Sequence, residues 1–263
     1  MKKTFRQHLA DIFTIGYFPT KVTKRDELVS LIKSLRPKDV GIELIRLGPQ
    51  GDGGYLVPDD LDGIGACFSP GVSTVSEFEL ACAKRGMQVF LADASVDAPA
   101  SMHENFSFTK KFVGATTSDQ FMTLQGWVQQ SAINPDTDLM LQMDIEGFEY
   151  ETLLSIPDEL MKRFRIIVIE FHRLHHLWSR PYFRLASAAF AKLLQTHSVV
   201  HLHPNNNRRS FYMQDIEIPR LMEFTFLRND RFDEHEYVDT FPHPLDRDNT
   251  DKQRLVLPEC WYR

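Results

Sequence analysis

The sequence predicts a single α/β domain, and three observations lead there. Runs of β-branched and other apolar residues, such as Arg165 to Phe171 and Val199 to Leu202, alternate with segments of helical periodicity, the pattern of βα units around a parallel sheet. Several of these runs end in acids or histidines, as when Leu139-Met140-Leu141-Gln142-Met143 leads into Asp144, Glu146 and Gly147. In open α/β sheets the carboxyl ends of the strands face the ligand crevice. Finally, 263 residues with 43% hydrophobic content can bury one large core and leave little room for a second full domain.

Charge and cysteine content narrow the functional classes. With 30 basic and 36 acidic side chains the formal charge is -6, which argues against sequence-independent nucleic-acid binding, where clustered cations supply most of the attraction. Cys67, Cys82 and Cys260 are odd in number and lack CxxC spacing, so neither a disulfide framework nor a zinc cluster is expected, and the chain reads as a reduced, cytoplasmic protein. Met1-Lys2-Lys3 is followed by Arg6, His8 and Asp11 instead of an apolar core, so no signal peptide is expected. No window approaches the roughly eighteen apolar residues of a membrane span.

Residues 1–22 hold Phe5, Phe13, Tyr17 and Phe18 without periodicity and read as an arm. After Thr23, Leu28, Leu31, Ile32 and Leu35 repeat at helical spacing until Pro37, so residues 1–40 are expected to be an arm and a packing helix. Ile42 to Gly48 and Gly51 to Pro58 flank a glycine-rich turn and predict a β-hairpin, because glycines beside Asp52 supply positive φ. Ile64 to Phe68 is the first core strand, closed by a tight loop at Gly71. Thr74 with Glu77, or Ser76 with Glu79, offers a capping box to a helix whose Val75, Phe78 and Cys82 share a face and which Gly86 stops.

Gln88 to Ala92 is the second strand and Asp93 stands at its end. An acid there, about twenty positions past the loop glycine, is where a nucleotide-binding α/β fold holds ribose hydroxyls, and a carboxylate can accept from both. The loop has Gly71, but Ser73 and Ser76 stand where a dinucleotide fingerprint wants further glycines. That suits a cofactor without a pyrophosphate better than NAD. Phe112 to Thr117 predicts a third strand and its loop, and Ser118 caps a helix with Phe121, Leu124, Trp127 and Val128 on its core face. Turn residues Asn134 to Asp138 deliver the chain to the fourth strand at Leu139. Arg165 to Phe171 is the fifth, presenting Glu170 and His172, and a helix from about Pro181 to Thr196 follows. Val199 to His203 is the sixth, ending in Asn205, Asn206 and Asn207, and Leu221 to Leu227 is the seventh. The central domain is thus expected over residues 41–228, with 229–263 a tail packed on it.

The D-x-E-G-x-E of Asp144, Glu146, Gly147 and Glu149, with Ile166 to His172 about twenty residues on, resembles the FkbM family of S-adenosylmethionine-dependent methyltransferases. Arg46, Gly48, Asp52, Gly53, Gly54 and Tyr55 are similar to an R-x-G…D-G-G-Y segment of a related branch. His201, His203, Asn205 and Asn206 are similar to the family's H-x-H-x-N-N segment, and Ile218, Pro219, Glu223, Thr225 and Phe226 to its I-P-x-x-x-E-x-T-F strand. Phe241 to Asn249 looks like its C-terminal stretch, so the resemblance runs over residues 44–257. It implies a class I methyltransferase: Rossmann-like, with a seven-stranded, mostly parallel sheet whose last strand is antiparallel, helices on both faces, and the N-terminal helix and hairpin over the cofactor. It implies S-adenosylmethionine against Asp52, Gly53, Gly54, Gly71, Ser73, Asp93, Thr116 and Asp144, and O-methylation of a sugar, glycan or polyketide-type metabolite, a small-molecule or glycan acceptor.

An acceptor hydroxyl must lose a proton as it takes the methyl group, and His172 is the candidate base because imidazole titrates near neutral pH. Asp144 is expected to hold the cofactor amino group or the acceptor hydroxyl, and Glu146 to orient His172 or the acceptor. Each has a structural alternative: Asp144 and Glu146 as first-turn helix acids, His172 as a capping histidine, His201 and His203 as a polar stripe on one strand face. A divalent ion that lowers the hydroxyl pKa would find oxygen and nitrogen ligands in Asp144, Glu170, His203 and Asn205, but their spacing matches no metal motif. Arg208 and Arg209 suit an anionic acceptor or are a solvated pair. Two rival readings remain, a nicotinamide-dependent oxidoreductase and a non-catalytic relative that binds the cofactor or a partner.

Overall fold

Long apolar runs become inner strands here because a strand covered on both faces has no solvent side to make polar. A computed structural model describes residues 20–72, 74–233 and 236–263. The arm up to residue 19 and Ser73 lie outside the described residues.

In chain order, α1 (Arg25–Ser34) precedes the short β1 (Lys38–Asp39) and an antiparallel hairpin of β2 (Leu44–Leu47) and β3 (Tyr55–Pro58). Next come β4 (Ile64–Pro70), α2 (Glu77–Ala83), β5 (Gln88–Ala92) and β6 (Phe106–Thr109). A small ribbon of β7 (Phe112–Val113) and β8 (Phe121–Met122) leads into α3 (Leu124–Gln130). Then follow β9 (Asp138–Met143), α4 (Glu149–Ser155), α5 (Asp158–Met161) and β10 (Phe164–Phe171). A 3-10 turn at Leu174–Trp178 opens α6 (Arg180–Leu194), which returns the chain to β11 (His197–Pro204). The hairpin of β12 (Phe211–Met213) and β13 (Ile216–Ile218), then β14 (Met222–Arg228), and β15 (Glu236–Tyr237) paired with β1, complete the strands.

Seven strands form one sheet in the order β11-β14-β10-β9-β4-β5-β6. All pairs are parallel except those of β14, which runs antiparallel to both β10 and β11. This is the expected seven-stranded, mostly parallel sheet with its last strand reversed. From β4 the chain steps outward to β5 and β6, then crosses back to β9 on the other side of β4. That reversal is a topological switch point, and it opens the crevice at the carboxyl ends of β4 and β9.

The two faces are covered differently. One carries α1 and α3 to α6, packed around Phe171, Phe190, Phe224 and Tyr150. The other carries the β2–β3 hairpin and α2, joined through Tyr55 and Phe78 in an edge-to-face contact at 5.5 Å. The N-terminal helix and the hairpin therefore sit on opposite faces, and only the hairpin reaches the crevice. Its Asp52 does so, whereas α1 buries Leu28, Leu31 and Ile32 on the far side.

Two local expectations are corrected. The third sheet strand is Phe106–Thr109, and Phe112–Val113 pairs instead with Phe121–Met122, which takes Phe121 off the helix face. An edge strand such as β6 is only half-buried, so Phe106-Ser107-Phe108-Thr109 carries a weak apolar signal. The caps also move: Thr123 caps α3 by accepting the Gly126 N–H at 3.1 Å, while Ser118 accepts the Phe121 N–H in the preceding turn. No capping box forms at α2, because Ser76 Oγ accepts from Ala100 N–H and Glu79 turns inward to Ser69.

At the opposite edge from the crevice, ion pairs tie strand ends together. Asp138, at the start of β9, is held by Arg165 at 2.8 Å and Arg228 at 2.6 Å, and Asp60 by Arg165 and Arg231. Burial opposes ionisation of Asp138, but the two guanidiniums outweigh it and hold the carboxyl below its ordinary range. Nearby, His197 is fully buried between two partners: Nε2 donates to the Phe164 carbonyl at 2.7 Å and Nδ1 accepts from the Thr196 hydroxyl at 2.8 Å. Burial pushes its pKa down to about 4, with the Phe164 carbonyl opposing, Arg228 lowering it further and Asp230 raising it.

A folded-state pKa below the unfolded one means that the unfolded chain takes up the proton first as the pH falls. The contribution of His197 is therefore complete above the unfolded value of about 6.5 and is lost on descent toward about 4. Going from pH 7 to pH 5 should remove about 1–2 kcal/mol through this residue. Denaturant melts of wild type and His197→Gln check it: the variant should show a flatter dependence over that window, and identical slopes would refute the assignment.

Candidate active site

Gly71 closes β4 in the left-handed region, φ +91°, and a Cβ there would lie 1.6 Å from the Asp144 carbonyl oxygen. The neighbouring backbone is stitched accordingly: Gly71 N–H donates to the Ala92 carbonyl at 2.9 Å, and Asp144 N–H to the Pro70 carbonyl at 3.2 Å. A side chain at position 71 would force the ends of β4 and β9 apart, so the glycine is a requirement of close approach.

Two cavities open above these strand ends, and Asp52, Asp144 and Glu146 belong to both. The first, 460 Å³, is walled by Gly71, Asp93 and three phenylalanine rings, Phe112, Phe121 and Phe148. The rings are spaced 5.4 and 5.5 Å apart in sequence, and Phe112 and Phe148 keep 38% and 44% of their surface exposed. Apolar rings left exposed on a cavity wall form a platform for a planar apolar ligand group. Asp93 Oδ1 accepts from both the N–H and the hydroxyl of Ser95, at 2.7 and 2.6 Å, which fixes the carboxylate at the rim. Below runs a buried chain: Ser69 Oγ lies 2.5 Å from Glu79 and 2.7 Å from Gln142, whose amide donates to the Tyr55 hydroxyl. One hydroxyl proton cannot serve both Ser69 contacts. Burial pushes the Glu79 pKa up to about 7, against the Ser69 hydrogen bond, so a Glu79 proton can complete the chain.

The second cavity, 320 Å³, is polar apart from Leu221, with Glu170, His172, Asn205, Asn207 and Arg208 among its walls. His172 is 8% exposed; its Nδ1 lies 3.0 Å from Glu149 Oε1 and 3.3 Å from the Glu170 carbonyl. Its Nε2 faces Asp144 Oδ1 at 3.7 Å and Glu146 Oε2 at 3.4 Å. Burial disfavours the charged ring, but Glu149, Asp144 and Glu146 together raise its pKa. Burial raises Asp144 to about 7, with Glu146, Glu149 and Asp52 adding and His172 opposing. Glu170 is raised well above its ordinary range, first by burial and then by Asp144, Glu223 and Asp52, while Asn205 donates to it at 3.0 Å.

The structure thus brings Asp52, Gly71, Asp93, Asp144, Glu146 and His172 to one seam. Gly53 and Gly54 shape the hairpin turn without lining either cavity: Gly53 has φ +76°, and a Cβ on Gly54 would meet the Pro49 carbonyl at 2.1 Å. Arg46 pins that turn by donating to the Pro49 and Gly51 carbonyls, each at 2.8 Å. Thr116 is exposed and lines neither cavity. Of the metal ligands weighed from the sequence, Glu170 and Asn205 bind each other, and His203 turns with His201 to Asp246 of the C-terminal segment. Sequence reasoning passed over Glu149 as the partner of His172, although it stands in the same D-x-E-G-x-E run. It also assigned Phe121 to the core and left Phe148, directly after Gly147, unremarked.

Residues 73–198 match the family model described as the Methyltransferase FkbM domain. No curated protein sequence matches the chain. Among solved structures, the N-methyltransferase NodS from Bradyrhizobium japonicum WM9 is 9% identical with a TM-score of 0.35, covering 63% of this chain and 86% of its own. The 1,6-didemethyltoxoflavin-N1-methyltransferase of Burkholderia thailandensis, solved with 1,6-didemethyltoxoflavin and S-adenosylhomocysteine, is 11% identical with a TM-score of 0.31, covering 84% and 83%. A mutant 16S rRNA (adenine(1408)-N(1))-methyltransferase from Catenulisporales acidiphilia is 11% identical with a TM-score of 0.30, covering 70% and 98%. Likenesses this weak carry no argument about the acceptor.

Gly71→Ala tests the close approach at the seam. The left-handed backbone and the overpacking against Asp144 should together destabilise the fold by roughly 2–5 kcal/mol. A thermal melt superimposable on wild type would show that β4 and β9 do not need the glycine.

Proposed function

From a methyltransferase FkbM domain over residues 73–198, set on a sheet of class I methyltransferase order, we propose an S-adenosylmethionine-dependent enzyme that methylates a hydroxyl of a polar small molecule or glycan. The observation that carries this reading is the seam: an aromatic-walled cavity and a polar cavity share Asp52, Asp144 and Glu146. The first suits a cofactor with one flat ring and a ribose. Its volume lies within the range of ordinary ligand sites, about 300–1,000 Å³, the phenylalanine rings offer an adenine their faces, and Asp93 stands at the end of β5 to accept from the ribose hydroxyls.

Bound S-adenosylmethionine supplies an electrophilic methyl group on a sulfonium. The chain's own part is to hold the acceptor in line and to ease loss of the hydroxyl proton as the oxygen takes the methyl carbon. Asp144, Glu146 and His172 are the groups that converge where the two cavities join. A wall made of carboxylates, amides and a guanidinium fits a molecule with several hydroxyls, such as a sugar, because each hydroxyl can both donate and accept. Arg208 also lines a neighbouring cavity of 270 Å³ with Arg173 and Arg220, which favours an acceptor bearing an anionic group; Arg209 lies outside both cavities.

Calorimetric titration with S-adenosylmethionine and S-adenosylhomocysteine, with NAD as control, tests the reading. Both sulfur compounds should bind and NAD should not. Asp93→Ala should weaken binding at least about tenfold, since a hydrogen bond to a charged group contributes roughly 1.5–3 kcal/mol. A folded protein that binds neither compound would end the enzyme assignment in favour of an interaction module.

A further inference from the structure

We propose that Asp144, Glu146 and His172 bind a divalent metal ion at the seam; the site rests on geometry alone, and the role given to the ion rests on the methyltransferase reading above. Among the described residues, these three bring two carboxylate oxygens and one ring nitrogen within 4.8 Å of one another. An ion at about 2.0–2.2 Å from each ligand atom needs those atoms roughly 3 to 4.5 Å apart. His172 Nε2 lies 3.4 Å from Glu146 Oε2 and 3.7 Å from Asp144 Oδ1. Both contacts are too long or too bent for a good hydrogen bond. They are the spacings of groups that face a common third partner.

The far side of the ring fixes what it presents. Nδ1 is set against two acceptors, Glu149 Oε1 and the Glu170 carbonyl, so Nδ1 carries hydrogen, and in the neutral ring Nε2 then turns a lone pair toward two carboxylates. In that tautomer a lone pair and two carboxylates repel unless a cation, a metal ion or a proton, lies between them. Metal-binding histidines regularly donate their second N–H to a carboxylate in this way. Asp144 Oδ1 supplies an independent sign: it is sealed from solvent and has no hydrogen-bond partner.

The loop is built to hold this arrangement. Glu146 adopts φ +57° and Gly147 φ +107°, and a non-glycine residue in that region marks a conformation imposed by its surroundings. Glu149 imposes it, accepting the Gly147 N–H at 2.9 Å with the same oxygen that faces His172. Two oxygens and one nitrogen make an oxygen-dominated set that suits Mn²⁺ or Mg²⁺.

His172 lines only the polar cavity while Asp144 and Glu146 line both, so a bound ion would sit where an acceptor hydroxyl in the polar cavity could reach it. The ion would supply Lewis acidity that lowers the pKa of that hydroxyl, whose proton would pass to solvent water. The oxygen lone pair then forms the bond to the methyl carbon, and the carbon–sulfur pair stays on sulfur, leaving a neutral thioether. With the ion in place His172 is a ligand and not the base.

Mn²⁺ titration of the full chain, followed by the electron paramagnetic resonance signal of the free ion, tests the site. One Mn²⁺ per chain is expected to bind. Glu146→Gln, at a side chain that is 87% exposed and outside the core, should weaken it at least about tenfold. His172→Gln should do the same, and Glu149→Gln, a positioning change, should cost about 10–100-fold. S-adenosylhomocysteine affinity, measured on the same samples without metal, separates the two claims. Cofactor binding without Mn²⁺ binding would overturn the metal site, with a proton on Nε2 as the occupant of the gap, and leave the methyltransferase reading intact. Unchanged Mn²⁺ affinity in Glu146→Gln would also overturn it, since the ion would then be bound elsewhere.

Discussion

A single buried carboxylate organises the seam. Glu149, fully buried at the start of α4, uses one oxygen to hold the Gly147 N–H and the His172 ring. The first contact sets the path of the loop after β9, and the second sets which face of the imidazole looks into the cavity. Without it the loop could relax out of its left-handed path, and the ring could turn about its Cβ–Cγ bond to bring the wrong nitrogen forward. Burying a carboxylate so completely is costly unless it is hydrogen-bonded and paired. The two contacts at this one position therefore bind backbone conformation to ring orientation, and whatever shifts one shifts the other.

The sheet keeps stability and chemistry at opposite edges. At the amino-terminal ends of the parallel strands, Asp138 and Asp60 are neutralised by Arg165, Arg228 and Arg231, a compact network in which each carboxylate meets two guanidiniums. At the carboxyl ends no such neutralisation occurs. Asp144, Glu170 and Glu223 crowd together near His172, His203, Arg46 and Arg208, and burial raises all three carboxyl pKa values. Acids gathered in a buried place oppose one another's ionisation. The paired network at the other edge supports the strands that carry these acids.

The fold was legible where burial writes itself into composition. β4, β9, β10 and β14 are predominantly apolar and buried along nearly their whole length, while the reversal of the last strand was legible only through the family resemblance. The third strand was missed because an edge strand is half-exposed and Phe106-Ser107-Phe108-Thr109 reads like any polar–aromatic alternation. The caps failed for another reason: Ser76 and Glu79 are the right residues at the right spacing, yet Ala100 and Ser69 compete for them from elsewhere in the chain. At the site, Asp144, Glu146, His172 and Asp93 could be named because strand ends are readable. Long-range proximity is not, so the sequence could not say that His203 and His201 would turn away to Asp246, forty-odd residues on, and leave Asp144, Glu146 and His172 as the convergent set.

The division of the crevice into two unlike halves follows from which strands end where. β5 and the β7–β8 ribbon lie on the outer side of β4, and they bring Asp93, Phe112 and Phe121, so that half is aromatic, with Asp93 as the carboxylate it does not share with the other half. β10, β11 and β14 lie on the inner side and bring Glu170, His172 and the Asn205 loop, so the other half is polar. β9 stands between them, which is why Asp144 belongs to both cavities. A group transferred from a ligand in the aromatic half to one in the polar half must pass the end of β9. Asp144 and Glu146 stand at that strand end and line both cavities, and Gly71 lets β4 approach Asp144 there.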